Sequence, residues 1–298
     1  MSLVQCKESI YAFSGEHEPI LRVASGTRLA IETYDCFTNQ IQSESAVVST
    51  IDWNRINPAT GPIYVEGALP GDTLKVKIER IELADRGIMA TGPGLGVMGH
   101  RIEKFEVKLI PIVDGQAIFN QIKIPLNPMI GVIGVAPAEG AVSCGTPGAH
   151  GGNMDNTMIT EGATLYFPVG VEGALFGLGD LHAAMGDGEV GVSGIEIPGK
   201  VTVTLEVVKG LSITHPFLEN DEAVVSIVSA PTLDEAVKLS VEQMVDRLLP
   251  TTGLTLAELT MLMSAVGQTQ ICQVVDPLMT ARFVVNKSIL NQLDASLF

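Results

Sequence analysis

The chain has 298 residues, 46% of them hydrophobic, and 34 acidic against 18 basic side chains give a formal charge of −16. That length supports one large core or two ordinary ones, the apolar fraction excludes a disordered chain, and the acidity sets the surface against nucleic-acid phosphates. No run of about 18 apolar residues predicts a membrane span, and the opening segment lacks the basic-then-apolar pattern of a secretory signal.

Cys6, Cys36, Cys144 and Cys272 are dispersed, with no CxxC pair. Such spacing reads as buried thiols in a reducing, cytoplasmic compartment, not as a disulfide framework or a structural zinc site.

Taken in chain order, the elements predict a mainly β protein. In IETYDCFTNQ (31–40) an apolar stretch ends on Asp35 beside Cys36, so Asp35 is either a metal ligand or a surface acid closing a strand. Glu66 lies on a strand between turns at Pro62 and Pro70, where facing the core would demand a partner. Residues 73–83 alternate at Leu74, Val76 and Ile78, then shift phase to Ile81 and Leu83, as a bulge requires. Half-buried strands follow around Phe105, Val107 and Leu109, and around Val201, Val203, Leu205 and Val207. TGPGLGVMGH lacks the strand-to-helix context of a dinucleotide loop.

Residues 131–199 hold 17 of the 31 glycines and two of the five histidines. That density predicts tight turns, or backbone in close approach to a ligand. Glu139, after Ala-Pro-Ala, is either a general base or a loop acid. In GTPGAHGGNMDN (145–156), His150 or Asp155 can bind metal or move a proton. Gly151 and Gly152 can turn backbone amides toward an anion. In GDLHAAMGDGE (179–189), Asp180 and His182 at two-residue spacing share one face of a strand, about 6 to 7 Å apart, within reach of one cation. Asp187 and Glu189 repeat the spacing. The bland alternative at each string is an ordinary turn with solvated acids. His17, His100 and His215 stand alone and read as structural or exposed.

From about residue 216 the pattern becomes α+β. VVSIVS (224–229) reads as a buried strand. Thr232–Glu235 forms a capping-box sequence opening a helix that Pro250 should end. A second box, Thr255–Glu258, opens a helix with the stripe Leu256, Leu259, Leu262, Met263 and Val266, and Gly267 fits its C′ position. Two strands close the chain. The expected organisation is a β-rich body over 1–215 carrying the site, with an α+β portion over 216–298 packed on it.

Together, YDCF, NPATGPIYVEGALPGD, GVIGVAP, HGGNMD, LYFPV and GDLHAAMGDGE, in that order, resemble the acetamidase/formamidase family, in its shorter, acetamidase-like form. The resemblance implies a β-sandwich-like body with a C-terminal α+β portion. It implies hydrolysis of small linear amides of the formamide and acetamide type to carboxylate and ammonia, with a bound divalent cation, zinc or calcium. Carried onto this chain, Asp35, His150, Asp155, Asp180 and His182 form the polar cluster. Asp180 and His182 are then the expected metal ligands, with Asp35 or His150 completing the shell. Glu139 or Asp155 would move protons, and the backbone at Gly151 and Gly152 would hold the oxyanion. Met185 stands where Gln is more usual, which bears on substrate choice.

Three alternatives remain at this level: a lactam or cyclic-amide hydrolase on the same scaffold, a metal-stabilised β-sandwich binding protein, and a structural calcium on Asp180, Asp187 and Glu189. A binding module would favour an aromatic platform, but Trp53 is the one tryptophan. The partners expected are a small amide and further copies of the chain, as a homo-oligomer; neither nucleic acid nor membrane is expected.

Overall fold

The computed structural model describes residues 2–293, 295 and 297–298. Two large sheets dominate it. The nine-stranded sheet runs, in spatial order, Ser2–Val4, Thr27–Thr33, Gly199–Val208, Thr73–Leu83, Thr164–Pro168, Phe217–Glu219, Ala223–Ala230, Met279–Asn286, Gln268–Gln273. The centre of the eleven-stranded sheet is Phe176–His182. It is flanked by Met129–Gly134 on one side and by Glu196–Ile197 and Ala59–Val65 on the other. Ile31, Val76 and Val203 of the first sheet share one apolar core with Ile133, Leu178 and Leu181 of the second. Each fully buried aliphatic side chain there contributes about 1.5–3 kcal/mol.

The alternation seen in sequence maps onto these strands. Leu74, Val76, Ile78 and Ile81 are buried. The phase shift is a bulge: Thr202 pairs with Arg80 but Val203 pairs with Ile78, leaving Glu79 as the extra residue. Glu66 does not face the core. Its strand ends at Val65 and Glu66 is exposed in the following turn, where solvation removes the need for a partner. The strands after residue 216 are hydrogen-bonded into the same sheet as the body, through Thr164–Pro168 and Phe217–Glu219.

The helix Leu233–Thr252 starts at Thr232, whose side chain accepts the Glu235 N–H. It passes through Pro250 and stops at Gly253, in the left-handed conformation with φ 66°. Proline there removes the N–H that would donate to the Asp246 carbonyl, so the helix continues for only two residues beyond it, in a last turn that buried Leu248 anchors. The helix Leu256–Val266 carries a complete capping box on Thr255 and Glu258. Leu259 and Met263 are buried, whereas Leu256 is exposed. Among the described residues, no helix is long and apolar enough to cross a membrane.

Gly267 is not a left-handed cap. Its backbone is extended, with φ −78° and ψ 148°. Glycine is needed because a Cβ there would lie 2.0 Å from Cζ of buried Phe283. Gly267→Ala is therefore expected to destabilise the fold by about 1–3 kcal/mol through overpacking, read as a lower urea midpoint at unchanged slope.

Candidate active site

The register of the central strand assembles the site. His182 pairs with Met129 on one side and with Glu196 on the other. The short strand Gly151–Asn153 adds to the outer edge of Met129–Gly134, with Asn153 opposite Val132. The chain then turns so that the Met154 N–H donates to the Gly131 carbonyl at 3.1 Å, delivering Asp155 beside Asp180. Gly131 is the floor. A Cβ on it would sit 2.5 Å from both Asp155 Oδ1 and Asp180 Oδ2.

His182 Nε2 lies 3.1 Å from Glu196 Oε2, 3.6 Å from Asp180 Oδ1 and 3.9 Å from Asp155 Oδ1. These are among the most enclosed polar residues of the chain, at 1% exposure for His182, 0% for Asp155, 2% for Glu196 and 3% for Asp180. Asp155, Asp180 and Glu189 all have left-handed backbone, with φ of 43°, 56° and 45°. Each such residue costs on the order of 1–3 kcal/mol and persists where surrounding structure holds it.

Burial drives the electrostatics. It pushes the Glu189 carboxyl up to about 8, against the pull of His182, and raises Asp155 and Glu196 well into the protonated direction for the same reason. Asp276 rises to about 9 through burial and then the nearby Asp155. For His182 burial alone would lower the pKa, but Glu196 and Asp180 outweigh it and hold the ring well above its usual value. Asp155, Asp180, His182 and Glu196 together present six buried side-chain atoms without a hydrogen-bond partner among the described residues. Buried polar atoms are almost always paired, and unpaired buried charge is costly.

That arrangement fits a cation. Donor atoms of Asp155, His182 and Glu189 lie within 4.8 Å of one another, as do those of Cys36, Asp180 and Glu196. Glu189 is steadied by the Gly194 N–H, which donates to Oε1 at 3.1 Å. Above them opens a cleft of about 430 Å³. Its wall is apolar, with Phe37, Trp53, Ile56, Leu95 and Phe105, and its polar floor includes Asn153, Asp180, Glu189, Glu196 and Asp276.

Of the residues singled out in sequence, Asp155, Asp180 and His182 converge here. Asp35 is buried nearby, but its Oδ1 accepts the N–H groups of Phe37 at 3.0 Å and Asn39 at 2.7 Å. Burial still pushes Asp35 up to about 6. The neighbouring thiol of Cys36 is the group that approaches Asp180 and Glu196. His150 lines a second cavity of about 520 Å³ with Pro137, Val169 and Leu278. Its ring stands edge-on to Phe13 at 5.3 Å, and burial lowers its pKa to about 4.

Gly151 spends its N–H on the Gly148 carbonyl at 3.0 Å. A Cβ on Gly152 would meet the Thr146 carbonyl at 2.4 Å, so close packing accounts for this glycine. Glu139 is exposed in a turn and Met185 is half-buried after the central strand. None of Glu139, His150, Gly151, Gly152 or Met185 lines the acidic cleft. Asp187 turns to Arg282, which donates from Nη2 at 2.6 Å, and to the Thr157 hydroxyl at 2.8 Å. Cys36, Glu196 and Asp276 escaped the sequence reading. Only Cys36 had a local signal, its place beside Asp35.

Comparison with known proteins places the chain by sequence and fold. A solved structure described as a predicted acetamidase/formamidase from Thermoanaerobacter tengcongensis is 53% identical, covers 98% of each chain and superposes with a TM-score of 0.96. An acetamidase structure from Bacillus halodurans is 42% identical over 98% of this chain and 99% of that one, also with a TM-score of 0.96. The formamidase of Methylophilus methylotrophus is 24% identical over 250 residues, and the match spans 64% of this chain but only 61% of the longer relative. The sequence profile of the Acetamidase/Formamidase family matches residues 12–143 and 138–277, so this chain belongs to the acetamidase/formamidase family.

Proposed function

We propose that the protein hydrolyses small linear amides to a carboxylate and ammonia at a divalent-cation site. The observation that carries this reading is the set of unpaired, buried donor atoms on Asp155, Asp180, His182 and Glu196 beneath an apolar-walled cleft, in a chain of this family. Asp155, His182 and Glu189 would hold the ion. Imidazole and carboxylate donors with a thiol close by suit zinc better than calcium, which takes 6–8 oxygens. The oxygen-only alternative loses Asp187 to Arg282. When bound, the cation supplies Lewis acidity toward the carbonyl and a more acidic water, with pKa near 7.

The chain's own groups do the rest. Phe37, Trp53 and Ile56 shelter the alkyl end of the substrate from water. Asn153 donates from Nδ2 to Asp276 at 3.0 Å, which leaves its buried, unpaired Oδ1 to accept an N–H of the substrate amide. Water adds to the carbonyl carbon and the C–N bond breaks. The oxygen stays with the acyl group and the nitrogen leaves as ammonia. Asp276, at the cleft floor, is the carboxyl placed to carry the proton from the attacking water to the departing nitrogen.

The test is ammonia release from formamide, acetamide and propionamide, before and after chelation, with metal analysis of the same sample. Metal content and activity are expected to fall together and to return together with added zinc. A fully zinc-loaded sample that releases no ammonia from any of the three would overturn the reading.

A further inference from the structure

We infer that the cleft is built for primary amides whose acyl group carries an aromatic ring, as in phenylacetamide, and that formamide and acetamide fill only its floor; this inference rests on the amidase reading above. Size argues first. A volume of about 430 Å³ falls in the range of roughly 300–1,000 Å³ that encloses drug-sized ligands, whereas acetamide is a handful of non-hydrogen atoms. Direction argues next. Asn153 and Asp276 lie at the polar floor, so a carboxamide seated there leaves the rest of its acyl group against the wall.

The wall is aromatic in a chain that is poor in aromatics. Aromatic residues are 5% of the sequence, yet Phe37, Trp53 and Phe105 share this cleft with Ile56, Leu95 and Val192. Trp53 meets Phe105 edge-on, with ring centroids 6.4 Å apart, and the residue remains 41% exposed, a surface that a ligand can cover. Such rings favour a further ring over an alkyl chain of equal area. The wall is also held in place. Leu95 belongs to the glycine-rich string TGPGLGVMGH (91–100). There the Val97 N–H donates to the Val190 carbonyl at 2.9 Å, and a Cβ on Gly96 would lie 2.6 Å from that same oxygen. Glycine lets this loop close on the segment that carries Glu189, which fixes Leu95 as part of the wall. Contacts between a preformed wall and a remote ring supply binding energy that orients the carboxamide, and so raise kcat/KM.

The bond changes are those of acetamide: the oxygen of water joins the acyl carbon, the C–N bond breaks, and phenylacetate and ammonia leave. The experiment measures ammonia release by the zinc-loaded, full-length protein from acetamide, hexanamide and phenylacetamide. The kcat/KM for phenylacetamide is expected to exceed that for acetamide by about tenfold or more, since one methylene in an apolar pocket is worth roughly 10–200-fold, and to exceed that for hexanamide. Trp53→Ala should narrow the phenylacetamide-to-acetamide ratio by about tenfold. A binding readout needs no variant. Trp53 is the one tryptophan, so phenylacetate, the product, should change the protein's tryptophan emission saturably, and acetate should change it less. A phenylacetamide value at or below those for acetamide or hexanamide, with no change in emission, overturns the inference and leaves the amidase reading standing. No ammonia from any of the three amides overturns both.

Discussion

His182→Asn is expected to lower kcat/KM for acetamide by about 10³-fold or more, to strip the cation bound by Asp155 and Glu189, and to lower the thermal midpoint of the metal-free protein, because the buried carboxyls lose their cationic partner. The size follows from what the imidazole does. It is the one nitrogen donor in its set and, among the described residues, the only cationic group in contact with Asp155, Asp180 and Glu196. Losing it removes a ligand and leaves the carboxylates facing each other. Loss of metal-assisted polarisation accounts for a barrier increase on the order of 4 kcal/mol, which is that factor in rate. Asparagine keeps a polar group of similar reach at the base of the strand, so the fold should survive. Full metal content with full amidase activity in the variant would remove His182 from the site.

Strand positions were legible wherever local chemistry decides them. The alternation at Leu74, Val76 and Ile78 and its slip to Ile81 are one-strand properties, and the bulge at Glu79 followed from them. Thr255 and Glu258 formed their capping box because its donors and acceptors sit three residues apart. Gly267 is not legible locally because its reason is tertiary: the ring of Phe283 lies across from it, on a strand sixteen positions later. The site divides the same way. Asp180, His182 and Asp155 stood out because polar residues interrupt glycine-rich apolar strings. Glu196 sits in an unremarkable GIEIPG, and only its pairing opposite His182 brings it into the buried cluster. Asp276 arrives from 121 positions beyond Asp155. His150 carried the local signs of a functional histidine, but its ring packs on Phe13 in the adjacent cavity.

The metal-free protein should become less stable as pH rises from about 6.5 to 9, and zinc should reverse this. Glu189 has its pKa raised to about 8 and Asp276 to about 9, both led by burial. Between the ordinary carboxylate range and those values the folded state keeps protons that the unfolded state has lost. Stability therefore falls with rising pH through that window. His182, also raised, acts in the same direction above its usual value. His150 acts oppositely: lowered to about 4, it costs stability only as pH drops from 6.5 toward 4. The decline is thus expected to be steepest above pH 6.5, where His150 no longer offsets it. At about 1.4 kcal/mol per pKa unit the raised carboxyls amount to several kcal/mol. A bound divalent ion favours the ionised carboxylates, so the rise in urea midpoint on adding zinc should be larger at pH 8 than at pH 5.5. Glu189→Gln should flatten the metal-free profile, since an amide has no proton to lose. A urea midpoint that stays level from pH 6.5 to 9 in metal-free protein would mean that these carboxyls are ionised without a cation, and that the floor of the cleft is wetter than its geometry indicates.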